Sequence, residues 1–292
     1  MRIKVLIGLL AFALGCKTGK TSQVLFLSGE ALGEVDKRLE EASGLAASVA
    51  NPGMLWTLND NGNPAEVFLI DQHAGIRLVC RLANVQNRDW EDIAIGVGPE
   101  EGKNYVYVAD IGDNEAQYEF KIIYRFVEPV LSLGKEVIIT EYDTLVLRMP
   151  DGKRDAETLL IDPLTHDLFI VSKRENNVGL YRSPYPFTHD TTTLEKVSTL
   201  HLTAIVAGSI SADGQEVLLK NYAKVYYWKK SNSESLSDLL AKQPIELDYE
   251  REPQGESIAW SLDGTEFYTL SESHGGKAGL IVYKRFPVIS DR

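Results

Sequence analysis

The sequence predicts an all-β fold, a β-propeller of four-stranded antiparallel blades with five blades in the ring. Short apolar runs bounded by Gly, Asn, Asp and Pro dominate the chain, which is typical of strands and tight turns. One strand pattern recurs five times at intervals of about 50 residues, the period expected of propeller blades. A spare strand at the start of the chain matches a missing strand in the last repeat.

The innermost strand of each predicted blade begins with an acidic or small residue, followed by Ile or Leu and an alternating run. The five starts are Ala42-Ser43-Gly44-Leu45, Trp90-Glu91-Asp92-Ile93, Ala156-Glu157-Thr158-Leu159, Ala207-Gly208-Ser209-Ile210 and Gly255-Glu256-Ser257-Ile258. A β-sandwich also has many short strands but lacks such a repeat, so the pattern favours a propeller.

A turn and a second strand follow each of these starts. In turns such as Asn51-Pro52-Gly53 and Asp263-Gly264, Gly supplies a positive φ and Asn or Asp hydrogen-bonds to its own backbone. A third strand follows in all five repeats, and a fourth strand closes the first four. Each repeat therefore predicts one four-stranded blade.

The two ends of the chain predict how the ring closes. The last repeat has three strands, and an orphan strand at residues 23–27 would complete it and remove an open sheet edge. The insertion between Tyr124 and Asp143 leaves a sixth blade as the alternative, although it carries no sixth copy of the inner-strand pattern. Residues 231–242 are the one segment that predicts a short helix.

Residues 1–15 predict a signal peptide, because Arg2 and Lys4 precede a short apolar segment that ends at Gly15. The ending Ala13-Leu14-Gly15-Cys16 resembles a bacterial lipobox, which implies a lipid on Cys16 and a protein anchored in the bacterial cell envelope, on the periplasmic or cell-surface side. The alternative is an ordinary secretory signal with Cys16 incidental. A polar tether over residues 16–22 and a single propeller domain over residues 23–292 complete the predicted organisation.

The net charge of −12 argues against nucleic-acid binding, which needs a basic surface. It also disfavours adhesion to anionic lipid headgroups, so the lipid on Cys16 is the one predicted membrane contact. Cys80 is the only other cysteine, and its apolar strand sequence indicates a packing role. The four tryptophans are also interpreted as blade packing.

Two groups of segments resemble known propellers. The turns at Ser211-Ala212-Asp213-Gly214 and Ser261-Leu262-Asp263-Gly264 resemble the Ser-x-Asp-Gly turn of TolB-type propellers. The segments EASGLAAS, LWTLNDNG and GESIAWSLDG resemble bacterial secreted propellers of the phytase-like, SMP-30 and NHL-related group. This resemblance covers most of residues 23–286 and implies the architecture. It carries little about activity, because the group includes calcium-dependent hydrolases, lactonases and proteins of unknown role.

Blade geometry predicts which side chains meet at the axis. Inner strands begin, and second strands end, at the same face of a propeller, so both positions converge on one axial mouth. The inner-strand starts contribute Ser43, Glu91, Glu157, Gly208 and Glu256. The second-strand ends contribute Asn59, Asp60, Asn61, Asp110, Asp113, Asn114, Lys173, Arg174, Glu175, Lys220, Asn221, Glu272 and His274.

The carboxylates of this set predict a site for a hard cation such as Ca²⁺. The candidate metal ligands are Asp60, Glu91, Asp110, Asp113, Glu157 and Glu256, and the candidate anion-binding residues are Lys173, Arg174 and Lys220. Pairing of the same carboxylates with Lys and Arg for structural reasons is an equally weighted alternative. Strand alternation turns Glu91 toward the mouth and Asp92 away from it, toward a turn or a neighbouring blade.

Two functions fit these features. The first is a Ca²⁺-dependent hydrolase of phosphate esters or similar anionic substrates, with phosphatase, phytase-like, esterase and lactonase chemistry all open. The second is a non-catalytic propeller that binds a small anionic ligand or an envelope protein, because no nucleophile–base pair can be assigned and the catalytic residues stay unknown.

Overall fold

The computed structural model describes residues 25–131, 134–188, 190–231, 233–273 and 279–287. The predicted signal peptide, Cys16, the tether and His274 lie outside these residues. The described residues form a five-bladed β-propeller, which confirms the predicted fold class and the predicted number of blades.

The strands follow one another around the ring, each blade running from the axis outward. Blade 1 comprises β2 (Ala42–Ala47), β3 (Leu55–Asn59), β4 (Glu66–Ile70) and β5 (Ile76–Leu82). Blade 2 comprises β6 (Trp90–Val97), β7 (Asn104–Asp110), β8 (Lys121–Val127) and β10 (Asp143–Arg148). Blade 3 comprises β11 (Ala156–Ile161), β12 (Leu168–Ser172), β13 (Gly179–Ser183) and β15 (Glu195–Thr199).

Blade 4 comprises β16 (Ile205–Ile210), β17 (Glu216–Asn221), β18 (Val225–Lys229) and β19 (Ile245–Leu247). Blade 5 comprises β20 (Gly255–Trp260), β21 (Glu266–Ser271), β22 (Gly279–Lys284) and, from the start of the chain, β1 (Glu30–Glu34). The predicted helix is present but shorter, as α1 (Leu236–Leu240), with the Ser235 side chain accepting a hydrogen bond from the Asp238 amide.

The long insertion of blade 2 does not form a sixth blade. It contains β9 (Glu136–Ile139), which pairs in parallel with β5 as a fifth, outermost strand of blade 1. In the same way β14 (Thr192–Thr193), which precedes β15, pairs in parallel with β10 of blade 2. At the outer rim, β9 therefore links blade 2 to blade 1, and β14 links blade 3 to blade 2.

The ring closes through the N-terminal segment, as predicted, but the strand lies later in the chain than residues 23–27. β1 pairs with β22 over Glu30–Glu34, and Phe26 adds an isolated bridge to Arg285. Phe26 is buried against Trp260 and Phe267, with ring centroids 5.8 and 5.0 Å apart. The apolar run at 25–27 therefore anchors the closing strand, whereas the more polar residues after it supply the main pairing.

The hydrophobic core is divided into five clusters, and each cluster lies between two neighbouring blades. The four tryptophans are buried within these clusters, which confirms their packing role. Cys80 is also fully buried, in the cluster between blades 1 and 2, where burial raises the pKa of its thiol to about 12. Because the cores lie between blades, the inner ends of the strands are free to carry polar side chains.

Candidate metal centre at the axial mouth

A β-bulge occurs at the start of the inner strand in all five blades. The pairing of inner and second strands skips one residue in each blade, and that extra residue leaves the hydrogen-bonded ladder. The bulged residues are Gly44, Glu91, Glu157, Val206 and Glu256. Three of the five equivalent positions around the axis therefore carry a glutamate.

In blades 1 and 4, the residue at the bulged position differs from the one that the sequence repeat predicts. The sequence pattern aligned Ser43 and Gly208 with the three glutamates, but the bulged residues there are Gly44 and Val206. Ser43 instead donates a hydrogen bond of 2.5 Å to the backbone oxygen of Glu91 and so joins blades 1 and 2. Neither Ser43 nor Gly208 belongs to the carboxylate groups at the mouth.

Seven carboxylates converge where the glutamates emerge, and we call this group the acidic mouth. It consists of three overlapping triads, each with one oxygen per residue within 4.8 Å of the others. The triads are Asp60, Glu256 and Glu272; Asp60, Asp89 and Glu91; and Glu91, Asp155 and Glu157. Asp60 and Glu91 are each shared by two triads, so the three groups form one continuous cluster.

The sequence pattern predicted Asp60, Glu91, Glu157 and Glu256 as metal ligands and Glu272 at the same mouth, and the structure brings all five together. It missed Asp89 and Asp155. Both lie two residues before a bulged glutamate, in Asp89-Trp90-Glu91 and Asp155-Ala156-Glu157. This repeated Asp-x-Glu spacing is the signal that could have identified them.

Glu91 is the least compensated member of the acidic mouth. It is 3% exposed, and its carboxylate makes no hydrogen bond or ion pair with any residue that the structure describes. Gly112 packs directly against it, because a β-carbon at Gly112 would collide with Glu91 Oε1 and with the Asp89 carboxylate. Glu157 Oε2 is fully buried and has no hydrogen-bond partner among the described residues. A buried carboxylate oxygen without a hydrogen bond or ion pair lowers the stability of the fold unless a cation or a proton binds to it.

The crowding of carboxylates raises their proton affinity. Burial, together with the charges of Asp60 and Asp89, raises the pKa of Glu91 well above its usual range. Burial also raises the pKa of Asp60 to about 7, with a contribution from Asp89, and that of Glu272 to about 9, with a contribution from Glu256. In the absence of a cation, the mouth therefore binds protons in place of the positive charge that the surrounding side chains do not supply.

Two predicted cationic residues reach this site. Lys173 Nζ contacts Glu157 Oε1 and lies 4.0 Å from Glu256 Oε1, and its side chain is 11% exposed. Arg174 Nε is 2.7 Å from Asp155 Oδ2, but the Arg174 side chain is 54% exposed. Arg174 can therefore contact both the mouth and a ligand in solvent.

The third predicted anion-binding residue, Lys220, is placed elsewhere. Its ammonium group is fully buried and donates to Tyr249 Oη, Glu252 Oε2 and the Gly255 oxygen at 2.9, 3.0 and 2.7 Å. Burial lowers the pKa of Lys220. Because all three N–H donors are used inside blades 4 and 5, we leave Lys220 out of the proposed site.

Asp110 and Asp113, the remaining predicted ligands, are also engaged in structural contacts. Asp110 pairs with Arg88 at 2.8 Å, so Arg88 is not the partner of Glu91. Asp113 accepts hydrogen bonds from two amides of its own loop and lies 3.4 Å from the buried Lys121. Neither belongs to the three triads, although the Asp113 amide donates a hydrogen bond of 2.8 Å to Asp155 Oδ1.

Asp92 points away from the mouth, as alternation predicted. Its carboxylate accepts hydrogen bonds of 2.8 Å from the amides of Ile93 and Leu159, which links blade 2 to blade 3. Burial raises the pKa of Asp92 well above its usual range. Adjacent acidic residues at the start of β6 therefore have different tasks, since Glu91 lines the mouth and Asp92 joins two blades.

The opposite end of the axis has a different chemistry. A cavity of about 250 Å³ lies there, lined by the inner strands and by the turns that follow them, including Ile95, Leu160 and Leu262. None of its described lining residues is Asp, Glu, Lys or Arg. The lining of this cavity is thus free of the carboxylates that form the acidic mouth.

A comparison with protein-family models finds no match, and a search of curated proteins finds no significantly similar sequence. Within the described part of the chain, no helix has the length and apolar character needed to cross a membrane.

Proposed function

We propose that the acidic mouth binds a hard divalent cation, with Ca²⁺ as the first candidate. The observation that carries this proposal is the buried, unpaired carboxylate of Glu91 between two carboxylate triads. All ligands in the triads are oxygens, and none is His or Cys, which suits Ca²⁺ better than Zn²⁺. A cation beside Glu91 would offset the charge that the fold leaves uncompensated there.

The bound cation would present an anionic ligand to Arg174, with the positive charge of Lys173 close by. A cation next to Asp155 and Glu157 lies beside both side chains, and Arg174 is exposed enough to meet a phosphate or carboxylate. Such a cation also lowers the pKa of a bound water and polarises an ester. We therefore propose Ca²⁺-dependent hydrolysis of phosphate esters or similar anionic substrates as the activity, in a lipid-anchored envelope protein of the phytase-like, SMP-30 and TolB-type group.

The second candidate is cation-dependent ligand or protein binding without hydrolysis. The described histidines do not join the carboxylate triads, and His166 lines the cavity at the opposite end of the axis. Proton transfer at the mouth would then depend on the carboxylates themselves, which the cation also needs as ligands. This shortage of a free acid–base group is the observation that supports the second candidate.

Elemental analysis of natively purified protein and thermal unfolding with Ca²⁺, Mg²⁺ or EDTA test the cation. A cation bound only by the folded state at 100 times its Kd adds about 2.7 kcal/mol of stability. We expect Ca²⁺ to raise the Tm and EDTA to lower it. If no divalent cation shifts the Tm, the cation site is wrong.

Turnover assays separate the two candidates. Phytate, aryl phosphates, aryl esters and lactones are tested with Ca²⁺ and with EDTA. Ca²⁺-dependent turnover that Glu91→Gln abolishes supports the hydrolase. A Ca²⁺-dependent Tm increase without turnover of any of these substrates leaves the binding function.

A further inference from the structure

The ring of bulged residues has a gap on the side of blade 4. Glu157 in blade 3 and Glu256 in blade 5 flank Val206, which is apolar and fully buried. Carboxylate triads occupy the other sides of the mouth, from Glu272 around to Glu157. Between Glu157 and Glu256 no third carboxylate belongs to a triad among the described residues.

The ammonium group of Lys173 lies in that gap. It contacts Glu157 Oε1, is 4.0 Å from Glu256 Oε1, and lies 5.5 Å from the centre of the Tyr222 ring. Tyr222, from blade 4, donates its hydroxyl hydrogen bond to Glu256 Oε1. Two carboxylates and an aromatic face surround one positive charge, which is the environment of a bound cation.

We propose that Lys173 is a tethered cation, which occupies a further cation position of the mouth and excludes metal from the side between Glu157 and Glu256. This rests on the proposed function in one respect, because the carboxylate triads are taken to bind the metal. A lysine suits the role, since its ammonium is a compact point charge with three donors, whereas the guanidinium of Arg is a wide planar fork. The number of metal ions bound is then limited by a side chain of the protein.

The test is the number of Ca²⁺ ions bound per chain, measured by equilibrium dialysis of the full-length protein and of Lys173→Met. Methionine has a similar length without charge, so the position between the two glutamates becomes free. We expect Lys173→Met to bind one more Ca²⁺ per chain than the wild type. An unchanged or lower number would overturn the proposal.

Arg174→Met is the matched control, because it removes a positive charge that pairs with Asp155 outside the gap. It should raise Ca²⁺ affinity through charge alone and leave the number of ions unchanged. A gain of one ion in Arg174→Met as well would show a general charge effect and contradict the tethered cation. Lys173→Arg, which keeps the charge, should not gain an ion.

Lys173→Gln gives the same measurement if Lys173→Met does not fold without Ca²⁺. The outcomes also separate this proposal from the proposed function. If the wild type binds Ca²⁺ and neither Lys173→Met nor Lys173→Gln binds an additional ion, only the proposal of a tethered cation is contradicted. Wild type that binds no Ca²⁺ while a neutral variant binds one contradicts only the proposed function.

Discussion

At the scale of single residues, Glu91 combines almost complete burial with an unpaired carboxylate. We predict that Glu91→Gln raises the Tm of the cation-free protein, because a neutral amide avoids the cost of burying a carboxylate beside Asp60 and Asp89 or of protonating it on folding. Each kcal/mol gained should appear as roughly 2–4 °C. The same variant should lose most of the Tm increase caused by Ca²⁺, measured by calorimetry with Ca²⁺ and with EDTA.

Glu128→Gln is the control for this prediction. Glu128 is as buried as Glu91, but its carboxylate accepts hydrogen bonds from Ser48 Oγ, Trp56 Nε1 and two amides at 2.6–3.1 Å. Removing one acceptor there should cost about 1–3 kcal/mol and leave the Ca²⁺ effect intact. If Glu91→Gln behaves like Glu128→Gln, the Glu91 carboxylate is a structural group.

The raised pKa values of Asp60 and Glu272 predict how cation-free stability depends on pH. The pKa of Asp60 rises from an ordinary 3.8 to about 7 and that of Glu272 from 4.5 to about 9. The folded state therefore holds these protons more tightly, and the resulting stability is complete below the unfolded pKa values and is lost as pH rises through the folded ones.

In EDTA the Tm should consequently fall between pH 5 and pH 9, as both groups ionise beside other carboxylates. Ca²⁺ should reduce this fall, because it binds the ionised forms, and its largest effect should be at high pH. Thermal scans across this range measure both slopes, and Asp60→Asn should flatten the slope in EDTA. An equal slope in wild type and Asp60→Asn would contradict the assignment.

Most side chains of the mouth were predictable from the sequence, because the repeat fixes which residues open an inner strand. It did not distinguish Lys173, which reaches the axis, from Lys220, which donates three hydrogen bonds inside its own pair of blades. Both residues lie near the end of a second strand, but Lys173 directly follows β12, whereas Lys220 lies inside β17 and pairs with Ala207. The difference depends on partners such as Tyr249 and Glu252, which lie far along the chain and have no fixed spacing from Lys220.

At the scale of strands, alternation and turn residues were sufficient to predict the four strands of most blades. The bulges were not predictable, because one extra residue changes the register without changing the apolar pattern. β9 was missed for another reason. Glu136–Ile139 is a short apolar run inside an insertion, and its parallel partner β5 belongs to a different blade.

β9 supports a prediction with an internal control. Val137 is half-buried against the core between blades 1 and 2, whereas Ile138, the next residue, is 67% exposed. Val137→Asp should destabilise the protein by about 1–3 kcal/mol, because it places a charge against that core. Ile138→Asp should stay within about 0.5 kcal/mol of the wild type. Urea unfolding measures both, and equal losses would mean that β9 does not pack on blade 1.

At the scale of the whole molecule, the fold depends on closing the ring. Every core cluster is shared by two neighbouring blades, so a blade has no core of its own. The pairing of β1 with β22 joins the two ends of the chain, and Phe26 fills the core between blades 4 and 5. Loss of the pairing between β1 and β22 should therefore also destabilise the blades on the opposite side of the ring.

Phe26→Ala tests whether the closure stabilises the ring as one unit. Loss of the buried ring should cost about 3–5 kcal/mol, whereas Leu27→Ala, at a side chain that is 41% exposed, should have little effect. If the blades unfold together, hydrogen exchange in Phe26→Ala should accelerate equally in β20, beside the closure, and in β6 of blade 2. Acceleration confined to blades 4 and 5 would show that the blades unfold separately. The acidic mouth takes its carboxylates from blades 1, 2, 3 and 5. Separate unfolding of the blades would mean that the part of the mouth in blades 1–3 stays folded when the pairing of β1 with β22 is lost.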